Sequence, residues 1–301
     1  MKLLALLIGL LVERLATQLF HLRRLRWLDH AIDFGFRQGD RLANWPELPR
    51  VVMLAVFLVA PVLLIRFGLG DAWFDFPYLI FAIVILFFSF GPEDIGEEVD
   101  DYCKAIEDEN EERIEVTAKA LAETDVPDDA LERTRVVEES VCIQANNRLF
   151  AIIFWFVLLG PVGAWAYRVT DLIRRRAVFN ALRDEHSGDP SLVRASEMQH
   201  SWLAWIPARL TAIGYAMAGS FDGALTAWRK PDELPASSSH AKSERLLARV
   251  GAGALALHEI EGETLAERGI RGASAANGLV YRLLLIWAVV IAAMTLYGAT
   301  V

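Results

Sequence analysis

The chain has 301 residues, of which 54% are apolar and 23% charged, with nine Trp, sixteen Phe and a mean hydropathy of +0.31. Soluble domains rarely sit that high, so the apolar residues must be concentrated in particular segments. The net charge of −9 argues against nucleic-acid binding, which needs a basic footprint, and the two distant cysteines, Cys103 and Cys142, offer neither a disulfide framework nor a zinc pattern.

MKLLALLIGLLV (1–12) opens like a signal peptide but runs into ERLATQLFHLRRLRW without a small-residue cleavage site. An uncleaved helix in or on the membrane is expected, with Arg14, Arg23, Arg24 and Arg26 facing the cytoplasm. Four apolar runs follow, at 51–65, 78–90, 149–167 and 279–299. A helix needs about 20 residues to cross the hydrocarbon core. The last two runs reach that length alone, and the first two reach it with flanking residues at the interfaces. Spans are therefore expected near 50–67, 76–91, 149–168 and 279–299, with no β-sheet, and these lengths disfavour buried helices of a soluble core. Between the first two, RFGLGDAWFDFP (66–77) has the Gly, Asp, Pro and aromatic content of a tight connection at headgroup level.

Residues 92–148 carry nineteen Asp/Glu against six Lys/Arg, so the rest of the chain is net positive. Ile95, Val99, Tyr102 and Ile106 recur at helical spacing, and PDDALERTRVVEE (127–139) starts as a helix does. This segment reads as an acidic soluble insertion, a pair of amphipathic cytoplasmic helices within one helical membrane domain spanning 1–301. EDENEE lacks the calcium-loop spacing, and no metal or cofactor is expected. Residues 229–278 form a polar linker and a helix before the last span. GAGALA (251–256) fits a dinucleotide fingerprint on paper but follows helical sequence, not a strand. No phosphate loop, nucleophile elbow or HExxH is present.

Three motifs then converge: Glu139-Ser140; Phe154-Trp155 leading to Gly160-Pro161, Gly163-Ala164 and Tyr167-Arg168; and Trp205-Ile-Pro-Ala-Arg-Leu210. Together they resemble the membrane family shared by AmpE, a regulator linked to β-lactamase induction, and the cobalamin-biosynthesis proteins CobD/CbiB. The resemblance implies an all-α polytopic membrane protein with four to five membrane helices plus amphipathic cytoplasmic helices. The cobalamin branch, which joins an aminopropanol unit to a corrinoid carboxylate, has acidic or amide groups where this chain reads Ile143, Gln144, Asn147, Arg174, His200 and Ser201. Losing those carboxylates removes acid–base or metal roles, which favours the AmpE branch. A multi-pass inner-membrane regulator of β-lactamase induction and cell-wall stress is expected, with the bilayer and a muropeptide-type or lipid ligand as partners. An amide-forming ligase is the second reading and a small transporter the third, though no inverted repeat is visible.

The expected pocket or polar core comprises Glu139, Ser140, Asn146, Asn147, Tyr167, Asp171, Trp205, Pro207 and Arg209. A charge on an apolar helix needs a partner, and Glu139 is the favoured one for Arg209 over Asp171 and Asp222; snorkelling to headgroups is the alternative. Pro207 fits the first turn of a helix starting near residue 206. One conflict remains: four simple spans put Arg174–Arg176 outside, against the positive-inside rule. Either the chain breaks at Gly160-Pro161 and returns, or 203–219 is itself membrane-embedded.

Overall fold

The computed structural model describes residues 26–40, 45–68, 76–90, 94–183, 190–231 and 239–297. The helix expected over the first 25 residues lies outside them, as does most of the 66–77 connection. Among the described residues every regular element is a helix. In chain order these are α1 (Arg26–Asp40), α2 (Glu47–Gly68), α3 (Phe76–Ser89), α4 (Ile95–Glu107), α5 (Glu111–Ala122) and α6 (Ala130–Ala145). A π-helical turn, Asn146–Phe150, joins α6 to α7 (Ala151–Leu159), followed by α8 (Pro161–Arg183), α9 (Pro190–Ala218), α10 (Phe221–Arg229), α11 (Ser239–Leu255) and α12 (Leu265–Leu296).

Three helical runs are long and apolar enough to cross a membrane: Glu47–Gly68, the unbroken Ala130–Leu159 and Leu265–Thr295. The chain is an all-α polytopic membrane protein. Where a span is expected at 76–91 the structure has the shorter apolar helix α3, whose 14 residues extend only about 21 Å at 1.5 Å per residue, short of the roughly 30 Å core.

The expected single span at 149–168 is instead two helices. Pro161 disfavours helical geometry at the preceding residue, and Gly160 takes φ +69° and ψ −156°, a conformation open to glycine. The chain then turns back along α7: a Cβ at Gly163 would lie 2.4 Å from the Trp155 carbonyl oxygen. This return brings Arg175 to Glu123, so the Arg174–Arg176 run shares a side with the acidic helices. Of the two arrangements left open by the positive-inside rule, the chain takes the one that breaks at Gly160-Pro161 and returns.

The acidic segment forms three helices rather than a pair. Asp94, Asn110 and Asp129 each cap one, their side chains accepting from the backbone N–H of Gly96, Arg113 and Glu132. Ile95, Val99, Tyr102 and Ile106 are buried, as their spacing requires. The third helix, α6, continues without a break into the membrane run, and Val99, Val141, Ala276 and Leu283 share one hydrophobic cluster. The Gly/Ala/Ser stretch before the last span lies inside α12, which opens on a capping box between Thr264 and Glu267.

GAGALA is a packing seam. The N–H of Ser220 donates to the Ala254 carbonyl at 2.7 Å, and a Cβ on Gly253 would stand 2.5 Å from the Gly223 carbonyl oxygen and 2.8 Å from Ala227 Cβ. That contact is with backbone and cannot swing away. Gly253→Ala should therefore destabilise the protein by about 1–3 kcal/mol. Gly278→Ala, where nothing lies within 4 Å of the new methyl, should stabilise it by up to about 1 kcal/mol through helix propensity. Thermal unfolding of the two variants in one detergent checks the opposite signs.

Candidate functional site

The rod widens at the π-turn, where the N–H of Ala151 bonds to the Asn146 carbonyl; there Asn146, Asn147 and Arg148 are all buried. Asn146 donates to Asn147 Oδ1 at 3.0 Å and accepts from the Thr211 hydroxyl at 3.0 Å, tying α9 to the turn. Asn147 Nδ2 lies 3.5 Å from Glu244 Oε1 on α11. Arg148 fans out to three acceptors, donating to Gln144 on α6 at 3.2 Å, Glu98 on α4 at 2.8 Å and Glu123 after α5 at 2.7 Å.

Glu123 sits just past α5 in the left-handed region, at φ 55°. It also accepts from Arg175, which extends the network into α8. There Arg175 Nε donates to Asp171 at 2.8 Å, while Arg168 and Arg174 reach the same carboxylate at 3.1 and 3.0 Å. Asp171 has no exposed surface. One turn earlier, the Tyr167 hydroxyl faces His200 Nε2 at 3.5 Å with the two rings 5.0 Å apart. A continuous polar seam thus joins α4, α5, α6, α8 and α9. Burial pushes the Glu123 carboxyl up, but the guanidinium groups of Arg175 and Arg148 outweigh it and hold it below the usual carboxylate range.

Of the residues expected from sequence, Asn146, Asn147, Tyr167 and Asp171 belong to this seam. Glu139 does not. It lines a separate cavity of about 480 Å³ between α6, α11 and the start of α12, with Arg135, Glu138 and Arg268; there Arg268 pairs with Glu138. Ser140 is buried on the same helix. The expected Glu139–Arg209 pair is absent. Arg209 folds back along its own helix, donating to the Trp205 carbonyl at 2.9 Å, lying 4.0 Å over the Trp205 ring and approaching the Ser243 hydroxyl at 3.5 Å. The residue one turn behind supplies both a carbonyl and a π-face, so the cation needs no carboxylate.

Pro207 is also corrected. It does not start a helix near residue 206 but lies inside α9. An internal proline cannot donate to the carbonyl four residues back, here that of Leu203. The indole N–H of Trp155 fills that vacancy at 3.0 Å. The Phe-Trp motif thus meets α9 at the carbonyl that Pro207 leaves without a helical donor, and not through Arg209.

Sequence reasoning passes over Arg148, Glu98 and Glu123; it takes Arg168 only as part of a family motif, Arg174 and Arg175 only as members of a basic run or departures from a pattern, and His200 only as such a departure. The spacing of Arg168, Asp171, Arg174 and Arg175 places four charges on neighbouring turns, a signal that was available. Glu123 had none, because its role depends on a left-handed turn.

With this geometry in hand, comparison with known proteins is decisive on kinship. The family described as regulatory signalling modulator protein AmpE matches the chain over residues 1–301. The chain belongs to the AmpE family. It is also 28% identical over 213 residues to the cobalamin biosynthesis protein CobD of Stutzerimonas stutzeri, covering 68% of each chain. With CobD of Chromobacterium violaceum the identity is 25% over 179 residues, covering 59% of this chain and 54% of that protein. No solved structure matches. In this AmpE-family chain the groups that differ from the cobalamin pattern have other engagements: Gln144 accepts from Arg148, Asn147 from Asn146, and Arg174 donates to Asp171.

Two expectations follow. Asp171→Ala strands three guanidinium groups and should cost about 3–5 kcal/mol, whereas Arg209→Ala loses a stacking contact worth about 1 kcal/mol; denaturation in detergent separates them. Because Glu123 is depressed below its ordinary value of 4.5, its contribution is complete above that pH and is lost as pH falls through the lower folded value. Glu123→Gln should flatten this acid branch of a melting-temperature profile.

Proposed function

We propose that the chain is a regulatory protein of the bacterial inner membrane that modulates β-lactamase induction in the response to cell-wall damage. The observation that carries this reading is the family match over residues 1–301. The seam supports a non-catalytic role. The Glu98, Glu123 and Asp171 carboxylates are each engaged by arginine, an arrangement that couples helices instead of presenting a free acid–base pair. In this reading Arg148 and Arg175 link the acidic helices, on the cytoplasmic side, to the membrane helices, so a signal at either is felt at the other. The signal is a muropeptide-type or lipid ligand, and the cavity beside Glu139 is the water-facing place for a polar one.

The kinship with CobD favours a second reading, a role in cobalamin synthesis. Cells lacking the chain should show altered β-lactamase activity after β-lactam exposure. The intact chain should restore the response, and Arg175→Ala, present in membranes at equal level, should not. An unchanged response in the deletion overturns the reading. Growth of a cobalamin auxotroph lacking CobD, once supplied with this chain, would establish the second reading in its place.

A further inference from the structure

Helices α7, α9 and α12 enclose a groove of about 490 Å³, a size within the usual range of about 300–1,000 Å³ for ligand sites. Its walls are apolar throughout, with Leu158, Ile213, Met217, Ile286 and Val290 among them. Leu158, Ile213, Met217 and Val290 are about half exposed or more. At its back α9 and α12 press together, since a Cβ on Gly214 would meet Leu283 at 2.4 Å.

Beyond one end of the groove stands a cation: Arg282 lies one turn before Ile286 on α12, and Ile286, Val290 and Met294 line the groove. Arg282 is exposed, and its Nε donates to the Gly278 carbonyl at 3.2 Å, so its terminal nitrogens remain for other acceptors. No charged residue follows it before the end of the helix. Arg282 is therefore the last charge before hydrocarbon, where a guanidinium reaches lipid phosphates.

We propose that this groove holds an acyl chain of an anionic phospholipid whose phosphate is bound by Arg282. A partner helix fits less well. Membrane helices associate through small residues that let backbones approach, whereas this groove is walled by long side chains that a thin, flexible chain can thread between. A cation at one end and apolar walls beyond it are the complement of a phospholipid. The inference rests on the membrane fold and stands apart from the regulatory role.

The delipidated protein in a neutral detergent would be titrated with phosphatidylglycerol, with phosphatidylcholine of the same chains, and with inorganic phosphate, following retained lipid by native mass spectrometry. Phosphatidylglycerol should bind at least about tenfold more tightly than phosphatidylcholine, the scale of a charge-assisted hydrogen bond. Arg282→Gln should bring the two lipids together, and Val290→Trp, which fills the groove, should weaken both alike. Circular dichroism checks that each variant is folded; should Val290→Trp unfold, Ile213→Phe fills the opposite wall. Equal binding of the two lipids by the unaltered protein overturns the proposal. So does a headgroup preference that survives Arg282→Gln, lipid retention unaffected by a filled groove, or inorganic phosphate binding as tightly as phosphatidylglycerol.

Discussion

Burying a carboxylate is costly unless the charge is met at close range, and at Asp171 it is met by three guanidinium groups at once. That arrangement organises the rest. Arg175 divides its donors between Asp171 and Glu123, and Glu123 divides its acceptance between Arg175 and Arg148. The chain of alternating charges fixes where the loop after α5 must lie and how far α8 must return along α7. The break at Gly160 follows from its glycine and the proline after it, whereas the left-handed turn at Glu123 is not explained by local propensity; it is a position from which this network can be completed.

The bilayer sets a second constraint. Backbone groups there must be satisfied within the protein, and the interior proline of α9 leaves one carbonyl without its helical donor. A tryptophan from α7 makes good the loss. The Tyr215 hydroxyl likewise donates to the Cys142 carbonyl at 2.7 Å, beside the π-turn where the α-helical ladder is interrupted. Polar side chains here repair the irregular backbone as well as pair with one another.

The membrane character, the buried stripe of the first acidic helix and the helix start at Asp129 are legible in the sequence, because each depends on hydropathy or on residues within one turn. Tyr167 comes from a family motif, Asn146, Asn147 and Asp171 from the polar residues expected around it, and the four do share a seam. The Arg209 pairing was misread because a charge in an apolar run was assumed to need an opposite charge; its own Trp205, one turn away, serves instead. Arg148 and Glu123 escaped notice because what makes them partners is a widened helix turn and a positive φ, which no periodicity records. Local rules put Pro207 at a helix start, whereas in the fold it is interior and the distant Trp155 supplies the donor that the Leu203 carbonyl lacks.

The π-turn at Asn146–Phe150 amounts to one surplus residue in an otherwise unbroken helical rod. Everything downstream is therefore rotated by about 100° relative to a rod without it. Loss of a single codon within this turn would leave composition, charge and hydropathy nearly unchanged, yet it would swing the Trp155 indole away from α9 and turn Arg148 off its carboxylates. The reading frame of the helix, as much as the identity of its residues, is what the gene must preserve here.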